Sequence, residues 1–149
     1  MSAQEVLRME IKKYTHYVQY YETDKMGITH HSNYIRWMEE ARVDFLKQIG
    51  WDFAKFESEG IVSPVVGVGC KYKHSTTFAD IVSIQVGISE YTGIKFKISY
   101  TMTKENGELA CEGWSEHCFI KDGRIVQIKK DYPGFHDVMN SLLPKKETE

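Results

Sequence analysis

The sequence lacks a cysteine framework, a basic segment and a long apolar run. Its cysteines, Cys70, Cys111 and Cys118, are odd in number and form no CxxC motif, which argues against a disulfide framework and against a structural zinc site. The formal net charge is -2 with no block of basic residues, so nucleic acid is not expected as the main partner. The longest apolar run, residues 61–70, contains Pro64 and is far too short to span a bilayer.

Length and composition predict a single folded domain over residues 1–149. The chain is 42% apolar, so it can bury a substantial core. The N-terminal stretch MSAQEVLRMEIKKY lacks the apolar centre of a secretory signal peptide, and together with the unpaired cysteines this predicts a cytoplasmic protein. Both ends are expected to be frayed, over about residues 1–6 and 144–149.

Alternating apolar and polar residues predict five strands. They are expected at residues 16–21, 66–74, 82–88, 94–102 and 109–120. The pair Asn106-Gly107 is a strong hairpin signal between the last two strands, and Asp122-Gly123 predicts a turn into a short continuation through Ile128. Gly67 and Gly69 allow strong bending of their strand or the close approach of another backbone.

One segment, residues 33–49, follows a helical period instead. Tyr34, Met38, Ala41 and Phe45 recur at that spacing, and further apolar residues widen the stripe over most of the circumference. Shorter helices are predicted over residues 52–59 and after Pro133. Because a flat sheet covers only one side of such a helix, the sheet must curl. The fold class is therefore α+β, with a five-stranded antiparallel sheet wrapped around one long helix.

The turn before the long helix, YYETDKMGITHHSNY, combines a carboxylate with two imidazoles. A helix start offers unpaired N–H groups and a partial positive charge, which can hold an oxyanion or polarise a carbonyl. An ionised Asp24 can attack a carbonyl or activate a water molecule. Adjacent His30 and His31 are expected to point in different directions. The combination suits acyl transfer or hydrolysis.

Structural alternatives to this interpretation come from the same residues. Asp24 in T-D-K-M-G can be a turn aspartate that bonds its own backbone, and His31 can cap the helix. A metal site built from His16, Glu22, Asp24 and a histidine has no HExxH or comparable spacing behind it. From the residues alone, the catalytic interpretation does not prevail over the structural one.

A longer pattern resembles a known family. The run VQYYETDKMGITHHSNYIRWMEEAR is similar to the signature of hotdog-fold acyl-CoA thioesterases, in the branch of 4-hydroxybenzoyl-CoA thioesterase and YbgC-type proteins. The segments SPVVGVGCKYKHSTTFADIVSIQV and GELACEGWSEHCFIKDGR also resemble strands of that family, so the likeness covers about residues 13–140. It implies the hotdog fold and hydrolysis of an acyl-CoA to free acid and coenzyme A. It implies no metal and no cofactor other than the coenzyme A of the substrate.

The resemblance also implies roles for individual residues. Asp24 matches the catalytic carboxylate, as nucleophile or general base, and Tyr20 matches a tyrosine that orients the site. His31 matches a position that holds histidine in YbgC-type members and tyrosine in others, with its backbone N–H directed at the thioester oxygen. Asn33 and Tyr34 match the helix start that lines the pocket.

The resemblance leaves the nucleotide contacts and the acyl carrier open. Basic residues that hold the nucleotide phosphates in some members have no clear counterparts here. The nearest candidates are Lys95 and Lys97, followed by Lys71 and Lys73, and an acyl-carrier-protein substrate stays open. Family members form their sites where two subunits meet, which implies a homodimer or homotetramer. A hotdog-fold hydratase or dehydratase and a non-catalytic acyl-binding module are the competing functions.

Overall fold

The main sheet is antiparallel and has five strands. The computed structural model describes residues 1–145. The strands of both sheets in this range are β1 (Tyr14–Tyr17), β2 (Ile61–Val62), β3 (Val65–Tyr72), β4 (Ile81–Tyr91), β5 (Lys95–Lys104), β6 (Leu109–Cys118), β7 (Ile120–Lys121) and β8 (Arg124–Ile125). The main sheet has the order β1-β4-β5-β6-β3, and the short strands form a second sheet in the order β2-β7-β8. The predicted five-stranded antiparallel sheet is confirmed, whereas β2 has no counterpart among the predicted strands.

Five helices accompany the sheets. They are α1 (Ala3–Arg8), α2 (Asn33–Gln48), α3 (Phe53–Ser58), α4 (Ile128–Asp131) and α5 (Pro133–Leu142). The predicted long helix is α2, whose buried residues are Tyr34, Trp37, Met38, Ala41, Arg42, Phe45 and Leu46. Gly50 follows it with φ of +83°, a left-handed conformation that glycine adopts without strain and that ends helices. Within residues 1–145, none of these helices is long and apolar enough to cross a membrane.

Two predicted boundaries are wrong at the N-terminal side. Residues 3–6 of the predicted frayed end instead belong to α1, because Ser2 accepts a hydrogen bond from the Glu5 N–H at 3.2 Å and Val6 is buried in the core. The first strand stops at Tyr17 rather than continuing to residue 21, and a 3₁₀ turn spans Tyr20–Glu22. The second predicted frayed end, residues 144–149, extends outside the described residues from position 146 onward.

The C-terminal connection also differs from the prediction. The Asp122-Gly123 turn does join two short strands, β7 and β8, but the continuation stops at Ile125. Ile128 begins α4, where its side chain is fully buried and its N–H donates to the Gly93 carbonyl at 3.0 Å. The chain is therefore turned back towards the sheet before α5 begins.

Strand β3 is an edge of the main sheet and carries the two glycines singled out by the sequence. The indole of Trp114 lies against both, so that a Cβ on Gly69 would meet its Nε1 at 2.8 Å. The close approach at Gly69 is thus made by a side chain of the neighbouring strand β6. Within the described residues, the other side of β3 has no strand neighbour, and Val65, Val66 and Val68 are exposed there.

A buried polar group lies between α2 and β6. Arg42 of α2 approaches His117 Nε2 at 3.4 Å, and the same nitrogen is 2.7 Å from the Ser115 hydroxyl. Burial, followed by the positive charge of Arg42, lowers the pKa of His117 from 6.5 to about 4. His117 is therefore neutral in the folded protein at pH 7.

This pKa shift predicts a pH-dependent stability. As the pH falls below about 6.5, the unfolded chain binds a proton at His117 that the folded chain does not accept until about pH 4. The stabilisation is complete above pH 6.5 and declines through that window, by about 2 kcal/mol between pH 7.5 and pH 5. Urea unfolding at both pH values should show this loss in the wild type and a smaller one in His117→Gln. His74→Gln, at an exposed position, is the control. An equal loss of unfolding free energy between the two pH values in all three proteins would contradict a lowered pKa of His117.

Candidate active site

The loop between the 3₁₀ turn and α2 is a small hairpin. Thr23 and Thr29 form an isolated antiparallel bridge, and the Asp24 N–H donates to the Ile28 carbonyl at 2.9 Å. Gly27 closes the tip with φ of +77°, and its N–H donates to the Asp24 carbonyl at 2.9 Å. Asp24 therefore sits on an ordered turn.

The half-buried carboxylate of Asp24 makes one hydrogen bond to its own loop. Its Oδ1 accepts from the Met26 N–H at 2.8 Å, which is the turn bond of the structural alternative. Its other oxygen, Oδ2, accepts no hydrogen bond within residues 1–145. The turn bond and a catalytic role are therefore compatible, because one oxygen orients the carboxylate and leaves the second available.

The loop is attached to the connection between β3 and β4. Thr29 N–H donates to the Thr76 carbonyl at 2.8 Å, and the two threonine hydroxyls lie 2.6 Å apart. The buried Tyr34 hydroxyl is 3.0 Å from Thr76 Oγ1, and the Thr77 hydroxyl donates to the Gly27 carbonyl at 2.7 Å. Tyr34, predicted to line the pocket, thus anchors the first turn of α2 to this connection.

The start of α2 leaves one backbone donor free at the predicted position. The His31 N–H has no acceptor within the described residues, whereas the Asn33 N–H donates to the His30 carbonyl at 3.0 Å. The side-chain amide of Asn33 donates to the Glu22 carbonyl at 2.9 Å and so holds the helix start against the 3₁₀ turn. A free N–H at a helix start is suited to bind a carbonyl oxygen that gains negative charge.

The two histidine rings lie together on the surface. Their centroids are 4.2 Å apart, so the expectation that they point in different directions is wrong. His30 Nδ1 is 2.8 Å from the Ser32 hydroxyl, and the His31 carbonyl accepts from the Tyr72 hydroxyl at 2.9 Å. Burial raises the pKa of Tyr72 well above its ordinary value, so its hydroxyl stays protonated as a donor.

The three predicted catalytic side chains are not joined to one another. Within residues 1–145, no hydrogen bond links Asp24 to His31, or either of them to Tyr20. The Tyr20 ring is 76% exposed and packs edge-on against Phe78, with centroids 5.6 Å apart. Asp24 and His31 thus lie on one loop, and Tyr20 lies in the 3₁₀ turn that precedes this loop, which is here called its entrance.

The four candidate lysines fall into two groups. Lys95 Nζ lies 3.8 Å from Glu116, and Lys97 Nζ lies 3.9 Å from Glu90 and 4.6 Å from the centre of the Trp114 ring. Lys71 and Lys73 are exposed and form no ion pair within the described residues. They flank Tyr72, whose hydroxyl reaches the start of α2.

Two residues, His16 and Glu22, support the loop, although the sequence suggests for them only a possible metal site. Buried Glu22 accepts from Trp37 Nε1 at 2.6 Å and lies 2.8 Å from His16 Nε2. Asp24 is not part of this pair, and the described residues contain no group of three or more His, Cys, Asp or Glu side chains suited to hold a metal ion. The available sequence signal was the Q-x-x-E spacing of a capping box, Gln19 to Glu22.

Comparisons with known proteins show which family the chain resembles over most of its length. Residues 18–138 match the family model of the thioesterase-like superfamily. A "putative esterase" of Aquifex aeolicus is 36% identical over 79% of this chain and 91% of its own length. The "putative acyl-CoA thioesterase YneP" of Bacillus subtilis is 33% identical over 86% of this chain and 94% of its own. The structure of the DHNA-CoA thioesterase from Staphylococcus aureus is similar with a TM-score of 0.82, at 30% identity over 87% of this chain and 88% of that one.

Proposed function

The chain belongs to the thioesterase-like superfamily as a thioester hydrolase with the hotdog fold, and we propose that it hydrolyses acyl-CoA thioesters with Asp24 as the catalytic carboxylate. The products are a free acid and coenzyme A. The observation that carries the proposal is that one loop holds both a carboxylate oxygen, Asp24 Oδ2, and a backbone N–H just before α2, that of His31, neither of which has a hydrogen-bond partner within residues 1–145. Hydrolysis needs both, because the carbonyl carbon must be attacked while its oxygen gains charge.

The reaction balances without a metal or a redox partner. The thioester oxygen accepts the His31 N–H while a new bond forms at the carbonyl carbon. As general base, Asp24 takes a proton from the attacking water, and the carbon–sulfur bond breaks to release the thiolate, which takes that proton from Asp24. As nucleophile, Asp24 forms a mixed anhydride that water then cleaves to the same acid. Both routes consume one water molecule and end with the Asp24 carboxylate restored.

The side chains around this pair have supporting roles in the proposal. The His31 ring is held at the surface next to His30 and orients Asp24 or the attacking water when substrate is bound. Tyr20, exposed at the entrance to the loop, contacts the arriving thioester. Asn33 and Tyr34 act by fixing the helix start.

Coenzyme A phosphates are assigned to Lys71 and Lys73 in this proposal. These side chains form no ion pair within the described residues, and they are the chain neighbours of Tyr72, whose hydroxyl donates to the His31 carbonyl. Lys95 and Lys97 are weaker candidates because Glu116 and Glu90 lie close to their ammonium groups. A nearby ionised carboxylate partly cancels the positive charge of a lysine and so lowers its attraction for phosphate.

We further propose that β3 pairs with β3 of a second copy, giving a homodimer or a dimer of dimers. The free edge of β3 exposes backbone donors and acceptors, together with Val65 and Val68, which are 49% and 40% exposed. An unprotected apolar edge of this kind favours pairing with another chain. Because β3 also carries Tyr72, which reaches the His31 carbonyl, such a dimer brings the second subunit close to the proposed site.

Replacement of the carboxylate tests the central residue. Asp24→Asn keeps an acceptor for the Met26 N–H and removes the charge, so we predict a fall in kcat of about 10²-fold or more with the fold intact. Asp52→Asn is the matched control, because Asp52 Oδ1 accepts the Ala54 N–H at 3.0 Å with the same two-residue spacing, at the N-cap of α3. Thiol release by both purified variants measures the effect, and near-normal turnover by Asp24→Asn would remove Asp24 from the mechanism.

The histidine pair allows a second comparison. His31→Ala retains the backbone donor and deletes the ring, and we predict that kcat falls by about 10-fold to 10³-fold with a smaller change in KM. His30→Ala should do much less, because the His30 ring is engaged by Ser32 at 2.8 Å. Steady-state kinetics, with circular dichroism to check folding, measure both. A large fall in kcat for His30→Ala together with an unchanged kcat for His31→Ala would show that the ring of His30, and not that of His31, acts in catalysis.

The oligomer is tested by light scattering at micromolar concentration. The wild type should have at least twice the mass of one chain, and Val68→Lys on the β3 edge should shift it towards the monomer because a charge opposes edge pairing. Val62→Lys, at an exposed position of β2, is the control and should leave the mass unchanged. An active wild-type monomer would contradict the dimer.

A further inference from the structure

The carboxylate of Glu22 is buried and satisfied by three donors. The residue is only 5% exposed. Its Oε1 accepts from the Gln19 N–H at 2.8 Å and lies 2.8 Å from His16 Nε2, while its Oε2 accepts from Trp37 Nε1 at 2.6 Å. These partners come from β1, from the 3₁₀ turn and from α2. One carboxylate thus ties together the three segments that surround the loop.

The backbone of the same residue holds the far end of the loop. The Glu22 carbonyl accepts from the His30 N–H at 2.8 Å and from the Asn33 side chain at 2.9 Å. The hairpin that carries Asp24 therefore leaves the protein body at Glu22 and returns to Glu22. Any displacement of this residue moves Asp24 relative to the His31 N–H.

A second layer of contacts fixes the partner of Glu22. His16 Nδ1 lies 3.0 Å from Glu40 Oε2, and the same oxygen accepts from the Tyr14 hydroxyl at 3.0 Å. The His16 ring also lies against Trp37, with centroids 4.5 Å apart. The imidazole is thereby held between β1 and α2 in the orientation that presents Nε2 to Glu22.

We propose that Glu22 is the positioning residue of the hydrolytic site: its buried carboxylate sets the distance between the Asp24 carboxylate and the start of α2. This inference rests on the proposed function. Glu22 touches none of the groups that react, and it acts through the loop. Misplacement of a catalytic group by about 1 Å can cost about 10²-fold in rate, so such a residue affects kcat without contacting substrate.

An amide cannot replace this carboxylate. The Gln19 N–H and the Trp37 N–H are both obligate donors, and they bind different oxygens of Glu22. A glutamine side chain has one acceptor atom and one donor group, so one of the two N–H groups must face another donor. Burial raises the pKa of Glu22, but the bonds from Gln19, His16 and Trp37 outweigh it and hold the pKa below its ordinary value, which keeps the carboxylate ionised at neutral pH.

The test combines kinetics with local hydrogen exchange in Glu22→Gln. We expect kcat to fall about 10-fold to 10²-fold while KM changes by less than about 3-fold, because the misplaced carboxylate affects the transition state more than binding. Amide exchange followed by NMR should accelerate at Gln19 and Met26, whose N–H groups report on Glu22 and on Asp24. Exchange in the central strands β4 and β5 should not change.

Glu57→Gln, at an exposed position of α3, is the matched control and should change neither quantity. A purely structural role for Glu22 would lower the unfolding midpoint but leave kcat per folded molecule and the exchange of Met26 unchanged. The proposal is overturned if either kcat or the exchange at Gln19 and Met26 is the same as in the wild type. If the wild-type protein releases no thiol from acyl-CoA, the proposed function fails, while the exchange measurement still tests whether Glu22 orders the loop.

Discussion

The buried ionised carboxylate of Glu22 is the constraint on which the arrangement of the site depends. A charge removed from water is costly unless it is fully hydrogen-bonded, so the loss of any one donor to Glu22 destabilises the folded protein. Those donors fix the end of β1, the 3₁₀ turn and the side of α2 that carries Trp37. The sheet edge, the loop and the helix start consequently behave as one body. A catalytic carboxylate on a loop needs such support, because a loop supplies few buried contacts of its own.

The fold explains why the helix start is available for chemistry. A helix that is apolar over most of its circumference must be enclosed by the sheet. The sheet covers the sides of α2 but leaves its N-terminal end at the edge of the sheet, which is here called the rim. The hydroxyl cluster of Thr29, Tyr34 and Thr76 then ties the rim to the connection between β3 and β4. Tyr72 adds a bond from β3 to the His31 carbonyl. The backbone of His31 is thus held from both sides, while its N–H has no acceptor within residues 1–145.

Much of the fold follows from hydrophobic periodicity. The 3.6-residue period of α2 and the alternation in β4, β5 and β6 are sustained over seven or more residues, and these elements lie where the sequence predicts them. The short α1 has no such pattern, because one buried side chain, Val6, and one cap, Ser2, suffice to hold it. The alternation of β1 continues formally past Tyr17, but the Glu22 N–H donates to the Gln19 carbonyl at 3.0 Å and closes a 3₁₀ turn there.

The site was predictable only in part. The hairpin of Asp24 and the helix start at His31 follow from the motif, since both depend on local sequence. The environment of Lys95 and Lys97 depends on side chains of β6 and β4, which requires the strand register that a sequence does not display. The role of Glu22 depends on contacts with His16 and with Trp37, which belong to β1 and α2, and a glutamate in a polar stretch is normally solvated. The contact of the two histidine rings depends on how the loop enters α2.

The most direct test of whether this arrangement cleaves a thioester is thiol release by the wild-type protein from a panel of acyl-CoA substrates that includes saturated chains. A thiol-trapping dye follows the free coenzyme A that forms. We predict that the wild-type protein turns over at least one substrate far faster than spontaneous hydrolysis, without added metal. A hydratase or dehydratase would release no thiol from a saturated acyl-CoA, and an acyl-binding module would bind without turnover. Binding of acyl-CoA with no release of thiol across the panel would contradict the account.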